Sequence, residues 1–213
     1  MPETPELDAW KSGFGREYTD RNALTLDGME ELWRKNYGRS RTDLNRVFLN
    51  DMDRSIRILE VGSNVGNQLL CLQKMGFKNL YGIDPQSYAV ELSKSRTNGI
   101  NIIEADAFDI PFKEGYFDLV FTSGVLIHIA PKDVRRAMVE IHRCSKRYVF
   151  GFEYYSQGHE AVEYRGKKDL LWKADFPMVY MQTCPDLKLV RSEPIKYLSN
   201  DNVDVMFLLE KQQ

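Results

Sequence analysis

The 213-residue chain predicts an α/β fold, a mostly parallel seven-stranded sheet with flanking helices and a C-terminal antiparallel hairpin. Three observations carry this reading. From Ile56 to Tyr155 short apolar runs alternate with longer amphipathic stretches, which implies parallel strands joined by crossovers covering the sheet faces. A glycine-bearing turn, "GSNVGN", follows the first apolar run directly. Two extended segments, "DLKLVRSEPIKYL" and "NVDVMFLLEK", close the chain around "SND", whose chemistry suits a tight turn.

In chain order, residues 1–50 carry helical periodicity. "LDGMEELWRKNYG" places Leu26, Met29, Leu32 and Trp33 on one face with Gly38 as a stop, and "RTDLNRVFLNDM" repeats the pattern through Leu44, Val47, Phe48 and Met52. Two or three helices are expected before the first strand. "IRILEV" then predicts strand one and "GNQLLCLQKMG" a helix stopped by Gly76. "NLYGI" is strand two, and the next helix has Pro85 in its first turn and Gly99 past its end. "NIIEA" and "YFDLVFTS" give strands three and four; the connection "DAFDIPFKEGY" leaves room for a short helix at most. A helix opened by Pro131 precedes strand five, "KRYVFGFEYY". No repeat or linker divides the chain. It reads as one domain, 1–213, with a helical lid (1–50), a ligand-binding core (56–155) and a substrate-loop region with the closing hairpin (156–213).

Composition narrows the function. A length of 213 residues supports a core without disulfides or structural metal. Net charge of -2 gives no overall pull towards nucleic acid, so no nucleic-acid partner is assigned. No apolar stretch approaches the roughly 20 residues of a membrane span, and "MPETPELDAW" does not read as a signal peptide. Cys71, Cys144 and Cys184 are widely separated and read as reduced thiols buried in helices. A cytoplasmic enzyme or binding protein is the expectation.

The polar residues gather at strand ends, where open parallel sheets bind ligands. Glu60 and Gly62 sit at the end of strand one, with Gly66 in the same turn. A dinucleotide fingerprint would need glycine where Asn64 and Asn67 stand, which weakens pyrophosphate binding. What survives is a close-approach turn and a helix N-terminus for an anion such as an amino-acid carboxylate, with Asn67 or Gln68 as an added donor. Asp84, at the end of strand two, suits two ribose hydroxyls. Asp106, after strand three, suits an adenine amine or, alternatively, a plain turn.

Together, "EVGSNVGN", "GIDP", "EADAFDIPF" and "FDLVFTSGVLIHI" resemble the class I S-adenosylmethionine-dependent methyltransferases. More narrowly, "GFGREYTDRN", "EYYSQGHEAVEYRG", "LLWKADF" and "CPDLKLV" are similar to the pseudaminic acid biosynthesis-associated methylases, over about Trp10 to Lys211. The resemblance implies a Rossmann-like class I methyltransferase domain with S-adenosylmethionine as cofactor. It implies Glu60, Gly62, Asn64 and Gly66 on the methionine side, Asp84 on the ribose, and Asp106 with Ala107 on the adenine. Asn67 and Ser123 complete the expected cofactor contacts.

"GFGREYTDRN" is expected to fold over the cofactor, Tyr18 contributing a ring and Arg21 pairing the methionine carboxylate; a solvated arginine at a helix cap is the alternative. His128, after strand four, has the chemistry of a general base, though "LIHI" equally suits a packed, hydrogen-bonded histidine. Glu153, Tyr154 and Tyr155 are expected to face the same crevice, the tyrosines against a sulfonium or as edge-strand aromatics. Tyr164 and Arg165 are substrate-binding candidates. "HEAVE" presents His159, Glu160 and Glu163 at helical spacing, a conceivable metal pair or a solvated loop; no metal is assigned. The function expected is in-line methyl transfer to a small acceptor, sugar-related by the resemblance. A cyclase forming azetidine-2-carboxylate with release of methylthioadenosine, and a non-catalytic binding protein, are the alternatives.

Overall fold

The computed structural model describes residues 4–167 and 169–212. Among the described residues four helices, rather than two or three, precede the sheet: α1 (Pro5–Lys11), α2 (Gly13–Asn22), α3 (Leu26–Tyr37) and α4 (Arg41–Leu49). Each begins at a hydroxyl cap. Thr4, Ser12, Thr25 and Ser40 accept from Leu7, Phe14, Gly28 and Asp43 N–H, each cap worth about 1 kcal/mol. The segment "GFGREYTDRN", Gly13 and Gly15 included, is a regular helix. Gly15 lies inside it because Trp10 O would stand 1.8 Å from an added Cβ, so α1 folds back onto α2 only over a residue without a side chain. Met29 is buried on the inner face of α3, whereas Leu32, expected beside it, is exposed.

The core follows as β1 (Arg57–Val61), α5 (Asn67–Lys74), β2 (Asn79–Asp84), α6 (Ser87–Arg96), β3 (Ile100–Glu104), β4 (Phe117–Ser123), α7 (Val134–Cys144) and β5 (Ser145–Tyr154). Helices α6 and α7 start two and three residues after Pro85 and Pro131, Gln86 and Asp133 being their N-caps. No helix interrupts the β3–β4 connection. A two-stranded ribbon of β6 (Glu160–Ala161) and β7 (Trp172–Lys173) then leads to α8 (Phe176–Thr183), and β8 (Leu187–Lys196) and β9 (Val203–Lys211) finish the chain. Helix α8 escapes sequence reading because its apolar run lacks helical polarity, although Asp175 accepting from Met178 N–H with Pro177 in the first turn is a helix start.

Seven strands form one sheet in the order β3-β2-β1-β4-β5-β9-β8. The first five are parallel, and β9 enters antiparallel between β5 and β8. The apolar alternation sends Leu59, Val61 and Phe207 to the face covered by α7 and α8, and Ile58, Met206 and Leu208 to the face packed with Leu44 and Phe48 of α4 and Leu69 and Leu72 of α5. Outermost strand β8 is bulged between Leu189 and Arg191 and carries Pro194 opposite Val205. All three cysteines are buried free thiols. Among the described residues no helix is long and apolar enough to cross a membrane.

Candidate functional site

The strand order reverses between β1 and β4, and their C-terminal ends open a crevice there. One wall is the turn after β1. Gly62 and Gly66 have φ of 73° and 82°, in the left-handed region. A Cβ on Gly62 would also lie 2.5 Å from Val125 Cγ2, so this position excludes side chains twice over. Asn64 adopts φ 47° without being glycine, its Oδ1 accepting from Val65 N–H at 2.8 Å. The same residue donates its backbone N–H to Asp84 Oδ2 at 2.7 Å and its side-chain amide to Thr19 Oγ1 of α2 at 3.0 Å.

Asp84 ends β2, its Oδ1 accepting from Gln86 N–H at 2.9 Å. Burial raises its pKa to about 6, opposed by those two N–H donors. Each carboxylate oxygen keeps a further lone pair for a ligand. Burial lifts the carboxyl of Glu60, in β1, well above the ordinary range, the nearby Arg41 guanidinium opposing it. Glu60 Oε2, Ser63 Oγ and Gln68 Oε1 are buried without a hydrogen-bond partner. Asp106 Oδ1 accepts from Phe108 N–H at 2.8 Å, so the aspartate is a turn former that also lines the cavity, with Ala107 beside it.

The facing wall is the segment after β4. Ser123 Oγ accepts from Arg41 Nη1 at 3.1 Å. Gly124 turns the chain at φ 66°, and a 3-10 turn, Leu126–His128, brings His128 to the wall. His128 Nδ1 stands 2.7 Å from the carbonyl of Leu170, which can only accept, so Nδ1 carries the proton and Nε2 an open lone pair. Burial pushes the His128 pKa down to about 4 and keeps the ring neutral at pH 7. Packed histidine and wall residue are here the same residue.

Helices α1 and α2 roof the crevice. Gln86 Nε2 donates to the carbonyls of Trp10 and Ser12, both at 3.0 Å, and Asn67 Nδ2 to Asn22 O at 2.7 Å. Glu6, Trp10 and Tyr18 hang from the roof into the cavity lining. Four carboxylates, Glu6, Glu60, Asp84 and Asp106, line it, and among the described residues no lysine or arginine does. On the His128 side four rings close on one another: Trp10 to His128 at 4.5 Å, His128 to Tyr164 at 5.3 Å, Tyr164 to Phe14 at 6.2 Å and Phe14 to Trp10 at 5.2 Å.

Of the residues singled out by sequence, Tyr18, Glu60, Gly62, Asn64, Asn67 and Asp84 share this cavity with Asp106, Ala107, Ser123 and His128. Gly66 caps α5 behind the turn. Arg21 is not on the wall; it lies 3.9 Å from Glu17 one turn back on α2, where i,i+4 spacing pairs them. Glu153, Tyr154 and Tyr155 do not line the cavity either. Strand β5 ends beneath the β4 turn, so Glu153 is fully buried, while Tyr154 OH lies 3.2 Å from Tyr197 OH and Tyr155 N–H pairs with Val203 O. Arg165 occupies the exposed tip of a tight turn at φ 52° beside Tyr164. "HEAVE" is extended where it forms β6, so the helical spacing of its acids is not realised. Among the described residues no group of three His, Cys, Asp or Glu could hold a metal ion.

Arg41 is the residue sequence reading missed. It is fully buried, held by Asn45 Oδ1 at 3.0 Å and Ser123, and sandwiched between Trp33 and Phe152 with its guanidinium carbon 4.7 and 4.9 Å from the ring centroids. At the start of an amphipathic helix it reads as a solvated cation, and nothing local signals otherwise. Gln86 also lacked a signal, because its partners Trp10 and Ser12 are more than 70 positions away.

Residues 59–148 match the family described as a methyltransferase domain. A phosphoethanolamine N-methyltransferase of Plasmodium falciparum is 23% identical over 99 residues, 45% of this chain and 37% of the relative, so the chain matches well under half of that protein. Among solved structures, the 1,6-didemethyltoxoflavin-N1-methyltransferase of Burkholderia thailandensis, with 1,6-didemethyltoxoflavin and S-adenosylhomocysteine bound, superposes with TM-score 0.73 at 13% identity, covering 100% of this chain and 93% of its own. A 4+2 cyclase, SpnF, superposes with TM-score 0.66 at 14% identity, covering 89% and 97%. The fold is thus the Rossmann-like fold of class I S-adenosylmethionine-dependent methyltransferases.

Proposed function

We propose that the protein transfers the methyl group of S-adenosylmethionine to a small-molecule acceptor. The observation that carries this is a cavity walled by four carboxylates with no lysine or arginine on the described wall. A pyrophosphate would enter against like charge, whereas an adenosyl sulfonium with its ammonium enters with opposite charge. The residues fit the cofactor. Glu60 Oε2, Ser63 Oγ and Gln68 Oε1 lack donors that an ammonium provides, and Asp84 has lone pairs for two ribose hydroxyls. The N-terminus of α5, at Asn67, suits the amino-acid carboxylate, and Asp106 with the following backbone suits adenine.

When bound, S-adenosylmethionine supplies a methyl group made electrophilic by the sulfonium. The chain's own contribution is alignment, with reacting atoms held about 3 to 3.5 Å apart, and exclusion of water by the α1–α2 roof. His128 Nε2 accepts a hydrogen bond from the acceptor's hydroxyl or amine. With a pKa of about 4 it is a weak base, and it takes the proton as the attacking atom becomes positive.

The four-ring closure around His128 favours one second reading: chemistry on the cofactor alone, the amino group attacking its own side chain to give azetidine-2-carboxylate and methylthioadenosine. Calorimetry with S-adenosylmethionine and, separately, NAD tests the cofactor. Chromatography of the nucleoside product tests the reaction. S-adenosylhomocysteine formed only with an acceptor supports methyl transfer, methylthioadenosine without one supports cyclisation, and binding of NAD alone removes both.

A further inference from the structure

We propose that Glu153 is the positioning residue of this site: from behind the wall its carboxylate sets the backbone that presents His128 to the acceptor and Val125 to the cofactor turn. The inference rests on the methyl-transfer reading and concerns a residue that touches neither ligand. Val125 N–H lies 3.2 and 3.0 Å from Glu153 Oε1 and Oε2, and Ile127 N–H 3.4 Å from Oε2. These amides open the 3-10 turn whose own donors have no helical partner, and one fully buried carboxylate satisfies them. The two ends of the turn then face the cavity. His128 closes it, and Val125 precedes it with its Cγ2 methyl 2.5 Å from where a Cβ on Gly62 would stand. One anion therefore fixes the approach of the β1 turn and the orientation of the imidazole.

Ionised, the carboxylate accepts from the amides with both oxygens; protonation turns one oxygen into an O–H donor and weakens the hold on the turn. Burial raises the Glu153 pKa to about 7, the donors of the turn and the Thr122 hydroxyl opposing it. The titratable groups around it are Tyr180 of α8, raised well above its ordinary value, His128 in the turn itself, and Asp204 of β9, next to Val205 opposite Glu153. Asp204 is also raised to about 7, but it pairs with Tyr37 and lies on the far side of β5 from the turn's amides in register terms, opposite Tyr154.

The test is the amide spectrum of the whole wild-type protein between about pH 5 and 9, read at Val125 and Ile127, with Glu153→Gln and Asp204→Asn as variants. Positioning by Glu153 predicts that both amides shift together through the neutral range, that the shift persists in Asp204→Asn, and that it vanishes in Glu153→Gln. It also predicts that Glu153→Gln moves the His128 ring nitrogens and weakens S-adenosylhomocysteine binding about 10-fold, the loss of one charge-assisted bond. Amides that stay fixed in the wild type, which requires no variant to fold, overturn the proposal. A wild type that binds no adenosyl cofactor overturns the methyl-transfer reading instead, and this inference with it.

Discussion

The side-chain amide of Asn64 donates to the hydroxyl of Thr19, 3.0 Å away and 45 positions earlier in the chain. One residue of the turn after β1 thereby reports to the roof through its side chain and to Asp84 through its backbone. Thr19→Val keeps the shape and leaves the Asn64 amide without its acceptor, at a cost of about 1–3 kcal/mol. The expected outcome is an S-adenosylmethionine affinity lowered about 10-fold with an unchanged far-ultraviolet dichroism spectrum, read by calorimetry. Equal affinity would detach the roof from cofactor binding.

Two arginines of the N-terminal region, Arg21 and Arg41, separate cleanly. Arg21→Ala should leave cofactor affinity within about two-fold, because an exposed i,i+4 pair is worth only about 0.3–0.5 kcal/mol. Arg41→Met should lower stability to urea by about 2–3 kcal/mol, because it removes the charge-assisted bonds to Asn45 and Ser123 and leaves those two acceptors unpaired. Wild-type stability in Arg41→Met would mean that the ring sandwich, not the charge, holds the site together.

Asp84 gives a pH dependence whose sign differs between free and bound protein. Its pKa is raised to about 6, so between the ordinary carboxylate range near pH 4 and pH 6 the folded protein holds a proton that the unfolded chain has released. Stability from this group is therefore present below that window and lost as pH rises through 6. Glu153 and Asp204, raised to about 7, act in the same direction, and His128, lowered to about 4, opposes them by losing stability as pH falls from 6.5 to 4. Cofactor binding needs ionised Asp84 and should strengthen as pH rises from 5 to 7. Asp84→Asn should bind weakly and lose that rise, measured as dissociation constant against pH.

Gly62→Ala meets both a left-handed backbone and Val125 at 2.5 Å. A β-branched neighbour held by its own backbone bonds yields little, so a cost of about 2–3 kcal/mol is expected. Thermal unfolding and cofactor titration should both weaken, whereas Gly158→Ala, with nothing within 4 Å of the new methyl, should change neither.

The fold was legible because its signals are local. The apolar runs of β1 to β5 and the SND punctuation of the hairpin are read within a window of ten residues, and the strand tips Glu60, Asp84 and Asp106 follow from the strands. Helix α1 was missed because a seven-residue helix barely completes two turns of periodicity, and α8 because it is apolar nearly all round. At the site, the wall was legible and its support was not. Glu153 looks like an active-site acid in sequence, since nothing local shows that β5 ends beneath the β4 turn rather than beside the cavity. Arg41 looks solvated for the same reason: its partners Ser123 and Phe152 arrive from β4 and β5.

The outer strand β8 carries apolar Leu189 and Val190 in the open, 45% and 52% exposed, on the border of a nine-residue pairing with β9. An unprotected border of that kind recruits strands from other molecules and seeds aggregation. The irregularity at Leu189/Arg191 and the missing amide hydrogen of Pro194 spoil the regular ladder a newcomer would copy, and Lys188, Arg191 and Lys196 add like charge against a second copy. Concentrated solutions should consequently resist fibre formation, and replacing Pro194 with valine while neutralising those cations should bring it on, as thioflavin fluorescence would report.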